Sequence, residues 1–142
     1  MIIQFMSSST PTVLPFIEWD SSVKQELLSS VEETGPVVVH GTITCTAWWE
    51  LVRIWKTTYL IDPESAHQSS LLQAYNISLA PNWTPLIQGQ TLRFTLIFEA
   101  LPKSCRSFDF MEIIPEPGGF LVEGIPRNQT DIYRIDLSNP GL

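Results

Sequence analysis

An all-β fold, a single antiparallel β-sandwich of seven or eight short strands, follows from three features of the sequence. Apolar and polar residues alternate with period two in successive short windows. Gly, Pro, Asn and Asp separate those windows. The 11 prolines fall at window ends and loops, where they interrupt neither a ladder nor a core strand, and they argue against long helices.

Residues 1–18 are rich in Ser, Thr and Pro and read as an extended N-terminal arm, with Phe16 and Ile17, next to Trp19, as its apolar positions. Residues 19–142 make the sandwich domain. Asp20 to Glu33 carries two patterns: Val23, Leu27, Leu28 and Val31 fit a helix capped by Asp20, whereas the run into Thr34-Gly35-Pro36 fits a strand and turn. The strand is favoured for the later half. From Val37 to Cys45, Val37, Val39, Ile43 and Cys45 alternate with Val38, His40, Thr42 and Thr44, the pattern of a strand with one buried face. Glu50 to Ile61 is rich in β-branched and aromatic residues on both parities, so this strand is covered on both faces or bulges near Lys56.

Leu71, Gln73, Tyr75, Ile77 and Leu79 predict a further strand ended by Pro81, and a loop holding Pro85 and Gly89 follows. The cleanest alternation is Leu92, Phe94, Leu96 and Phe98 against Thr91, Arg93, Thr95, Ile97 and Glu99. Arg106 to Ile114 puts Phe108 and Phe110 on one face and Asp109 and Met111 on the other. Pro115-Glu-Pro-Gly-Gly119 breaks it, Phe120 to Ile125 forms a short ribbon, and Tyr133, Ile135 and Leu137 alternate in the last strand.

With 142 residues the chain is one ordinary domain, large enough to form a core without metal or disulfide. Its net charge of −7, with no Lys/Arg run, excludes the electrostatic footprint of a nucleic-acid or anionic-membrane binder. No apolar run is long enough to span a bilayer, and no basic residue precedes Lys24, so neither a membrane segment nor a signal peptide is expected. The expected location is cytoplasmic. Asn76, Asn82 and Asn128 begin glycan-acceptor triplets that such a location leaves unused. Cys45 and Cys105 fall at opposite ends of parallel-running strands in an up-and-down sandwich, so two free thiols are expected.

Five blocks in order, Val37–His40, Thr58–Asp62, Phe94–Pro102, Ser107–Glu112 and Glu123–Ile125, resemble small bacterial immunoglobulin-like β-sandwich domains over residues 23–137. The resemblance implies that fold, supports a strand across Ser22 to Glu33, and implies no particular activity. Lys103 stands where an antibody-type domain has a tyrosine two residues before its second cysteine, so no antibody-like function carries over.

Catalytic, metal and cofactor motifs are not expected. His40 and His67 lie in no recognisable catalytic motif, Cys45 lacks the signature of an activated thiol, and no helix follows Gly118-Gly119 to cradle a phosphate. Two constellations are candidates for binding. Trp48, Trp49, Trp55 and Tyr59 concentrate aromatic surface, and adjacent strand residues face opposite ways, so one of the tandem indoles must leave the core unless a loop covers it. Glu112, Glu116 and Glu123, with Asp109 nearby, gather carboxylates at one turn. The function expected is a non-catalytic interaction or assembly module that meets a protein partner or a second copy through uncovered edge strands. The alternative is a small-molecule or carbohydrate binder, or a hydrolase, using the acidic turn and exposed tryptophans.

Overall fold

A computed structural model describes residues 35–138. The N-terminal arm and the helix-or-strand segment of residues 20–33 lie outside the described residues. Those described form nine strands and no helix: β1 (Val37–Thr44), β2 (Trp49–Val52), β3 (Thr58–Ile61), β4 (Gln68–Tyr75), β5 (Thr84–Ile87), β6 (Thr91–Phe98), β7 (Ser107–Glu112), β8 (Leu121–Pro126) and β9 (Ile132–Asp136). No helix among them is long and apolar enough to cross a membrane.

Seven strands make one curled sheet, a half-barrel of order β8-β7-β3-β4-β6-β1-β9, and β2 with β5 makes a separate ribbon. Neighbours in the large sheet are antiparallel except β1 and β9, which run parallel from Val38↔Ile132 to Thr42↔Asp136. The expected purely antiparallel arrangement is therefore corrected to a mixed sheet. Alternation reports which face a residue takes but carries no information about the direction of the neighbouring strand.

The inner face of the half-barrel is the core. β6 contributes Leu92, Phe94, Leu96 and Phe98, all buried, in the facing that alternation assigned. Phe110 stands between Phe98 and Phe120 with centroids 5.9 and 4.6 Å away, both in edge-on geometry, which the ring quadrupoles favour. Phe108 meets Tyr133 of β9 in the same way at 4.9 Å. Gly41 pairs with Phe94 across β1 and β6, and the Phe94 ring occupies the place a Cβ at Gly41 would take. Leu96 is fully buried at the centre of this cluster, so Leu96→Ala should lower unfolding free energy by about 2 to 5 kcal/mol in denaturant titration.

Three elements differ from the sequence expectation. Glu50 to Ile61 is not one strand: β2 belongs to the ribbon and β3 to the large sheet. Between them Ile54 sends its N–H to Ser78 and accepts from Ala80, both at 2.9 Å, so its backbone bonds to a different part of the chain. The mixed parity of the segment reflects this change of sheet. The loop expected around Pro85 contains β5, whose four residues are too few to show a period. Proline is tolerated in it because β5 is a ribbon edge. The strand expected through Leu79 stops at Tyr75, because Asn76 turns the chain at φ 62° and the register slips between Leu71 and Gln73. Ala74 and Ile77 are buried in consequence, while Gln73 and Asn76 are exposed. Cys45 and Cys105 are free and buried, and burial pushes both thiols up from their ordinary pKa.

Candidate functional site

The β2–β5 ribbon separates its two faces sharply. Its register pairs Trp49 with Ile87, Glu50 with Leu86, Leu51 with Pro85 and Val52 with Thr84. Val52 and Leu86 point inward and join the core of the half-barrel. Trp49 and Ile87 point outward and are 59% and 67% exposed, with Pro85 exposed and Leu51 half-buried beside them. Trp48, just before β2, is 82% exposed. Both members of the tandem pair are therefore outside, where alternation alone required one.

The outward parity continues one position past each strand, to Arg53 and Trp83. The Arg53 guanidinium lies 3.7 Å from the centre of the Trp83 ring and 5.1 Å from that of Trp55, a cation held between two indoles. Its Nη1 donates to the Pro81 carbonyl at 3.1 Å, and its Nη2 stands 3.6 Å from Oε1 of Glu116 in the β7–β8 turn. One face thus runs from Ile87 and Trp49, past Leu51 and Pro85, to Arg53, Trp83 and Trp55.

Glu112 behaves differently from its neighbours in sequence. It ends β7 on the same parity as Phe108 and Phe110, and that parity carries its carboxylate into the core, 4% exposed. Oε2 accepts the Trp55 N–H at 3.1 Å, a backbone donor left without a ladder partner where the chain passes from ribbon to large sheet. Thr58 Oγ1 closes the same crossing by donating to the Trp55 carbonyl at 2.7 Å. Oε1 of Glu112 is buried without a hydrogen-bond partner. Burial raises its pKa to about 7, against the opposing pull of the Trp55 N–H and the Arg53 charge.

Trp55, Glu112 and Glu116 are brought together around Arg53, whereas Tyr59 and Glu123 are not part of that group. Tyr59 sits half-buried in β3 between Ser70 and Met111, and Glu123 is exposed on the edge strand β8. The expected cluster of acids at one turn is thus divided: Glu112 is buried, Glu116 binds Arg53, and Glu123 faces solvent. Arg53, Trp83 and Ile87 join this face without an alternation that announces them, because β5 has only four residues and Arg53 falls one position past β2; the one signal in the sequence is Trp83 near Pro85. Among the described residues no three His, Cys, Asp or Glu side chains group closely enough to hold a metal ion.

The chain matches no family model, no curated protein and no solved structure. Its function is read from these residues. An indole-rich face with an ordered arginine has the side chains that dominate binding energy where proteins meet. Glu112 lacks the accessibility an acid or base needs to reach a substrate, so pairing it with Glu116 gives no catalytic dyad.

Proposed function

We propose that this chain is a non-catalytic cytoplasmic interaction module of the immunoglobulin-like sandwich type, which docks a protein partner or a second copy on the outward face of the β2–β5 ribbon. The sandwich assignment is supported by the burial of Val52 and Leu86 of the ribbon in the same cluster as Leu96 and Phe98 of the large sheet. Two unpaired thiols suit a reducing compartment. The observation that carries the reading is the exposed Trp49–Ile87 pair, flanked by Trp48, on a ribbon whose two outer edges have no strand partner among the described residues.

Light scattering of the purified chain, alone and with proteins captured alongside it, tests this. Trp49→Ala should weaken the association by about thirtyfold, the effect of losing a central anchor worth about 2 kcal/mol. Iodide should quench Trp48 and Trp49 in the dilute protein and lose access to them on association. An association unchanged by Trp49→Ala, or a strict monomer without a partner, would overturn the reading.

The carbohydrate-binding alternative has one observation in its favour: the exposed indole of Trp49 shares the ribbon face with Arg53, whose guanidinium reaches Glu116, an apolar platform with polar groups at its end. Saturable changes in tryptophan emission with soluble oligosaccharides, abolished by Trp49→Ala in a protein that stays monomeric, would select it.

A further inference from the structure

We infer that the outer face of the large sheet, where β6, β1 and β9 run side by side, binds a small phosphate-bearing anion between Arg93 and Arg134. This face carries a cavity of about 700 Å³. It lies on the large sheet, away from the ribbon, and does not depend on the ribbon's role.

Register places the polar side chains in two adjacent rows. Arg93, Thr42 and Asp136 face one another across β6, β1 and β9, and Thr95, His40 and Arg134 form the next row. These positions alternate with buried Val39, Ile43, Leu96 and Tyr133, so all six share the face opposite the core. Arg93 and Arg134 stand two strands apart, about 10 Å laterally. Two extended arginine side chains can close from either side on a group the size of a phosphate over that gap. Guanidinium forks suit phosphate oxygens, and hydroxyl and imidazole groups lie between them.

Charge makes the placement informative. In a chain of net charge −7 with eight Lys and Arg, Arg53 and Arg127 are paired with carboxylates, and of the cations in no salt bridge among the described residues, which include Lys56, Lys103 and Arg106, Arg93 and Arg134 are the two that line this cavity. Arg134 is near enough to His40 to oppose its protonation, adding to the effect of burial. His40 Nδ1 is bonded to Thr95 Oγ1 at 2.9 Å, which leaves Nε2 available. The carboxylate of Asp136 is engaged by the N–H and hydroxyl of Ser138 at 2.9 and 2.6 Å. Its negative charge offsets one arginine, so the site suits a single phosphate better than a polyphosphate or a nucleic-acid backbone.

Inorganic phosphate and glycerol 3-phosphate, titrated into the full chain against sodium chloride at matched ionic strength, test the site by nuclear magnetic resonance. Saturable shifts of the His40 ring and the Arg93 and Arg134 side chains are expected with phosphate and not with chloride. Tighter binding of the monoester would assign a small organic phosphate, and equal binding would assign the free ion. Arg93→Gln and Arg134→Gln, both on exposed positions, should each weaken binding about tenfold or more, while Trp49→Ala leaves it unchanged. No saturable shift in the parent chain, equal shifts with chloride, or unaltered affinity in both arginine variants would overturn the proposal.

Discussion

Glu112→Gln should be more stable than the parent protein at about pH 8, by up to about 3 kcal/mol, and should lose that advantage as the pH falls below about 4.5. The carboxyl is buried beside a single backbone donor, and its folded-state pKa lies at about 7 against an ordinary 4.5. The folded protein therefore holds a proton that the unfolded chain releases. The stabilisation is fully present below about 4.5 and is lost as the pH rises through 7, where the ionised group sits in the core with Oε1 unpartnered. At about 1.4 kcal/mol for each pH unit the displacement from 4.5 to about 7 amounts to about 3.5 kcal/mol, most of it lost by about pH 8. Glutamine keeps an oxygen for the Trp55 N–H and carries no charge. Urea unfolding of both proteins across this range isolates the effect as a difference curve. The subtraction matters because His40, whose pKa is lowered, contributes in the opposite direction. A variant less stable than the parent at about pH 8 would show that the ionised carboxylate is the stabilising form.

Arg127→Met is expected to cost about 3 to 5 kcal/mol. Arg127 ends the β8 connection and grips Asp131 with two parallel bonds, Nε to Oδ1 at 2.5 Å and Nη2 to Oδ2 at 2.9 Å. Its Nη1 donates to the carbonyls of Pro102 and Cys105 at 2.8 and 3.1 Å, tying the β6–β7 loop to the β8–β9 loop. Asp131, at φ 55°, also accepts the Tyr133 hydroxyl at 2.9 Å, and its carbonyl receives the Val38 N–H at the start of the parallel β1–β9 pair. Removing the cation leaves a buried carboxylate and two loop carbonyls without their donor. Because the pair anchors β9, hydrogen exchange at Ile132 to Asp136 should accelerate more than at β6. If denaturant midpoints and β9 protection both stayed at parent values, Arg127 would be a surface residue in effect.

The all-β succession of short strands, the inward face of β6, Phe108 and Phe110 of β7, Tyr133 of β9 and Leu137 just after it were legible because one face was dry and one wet along several consecutive residues. Glu112 was not: its charge groups it with Glu116 and Glu123, whereas its position in β7 carries it inward after Phe108 and Phe110. The ribbon was not legible. β2 and β5 have four residues each, and their inward residues are covered by a sheet remote in sequence.

By itself the sequence determined which side chains of β1, β6 and β7 face inward, and that at least one of two adjacent indoles must leave the core. These depend only on local parity, a property of the extended backbone. Tertiary structure decided the direction in which β9 joins β1, the sheet to which Trp49 and Tyr59 each belong, and the meeting of Arg53 with Trp83, and of Arg93 and Arg134 across β1. Those outcomes depend on backbone hydrogen bonds formed between distant segments, and no side-chain pattern within one segment encodes its partner.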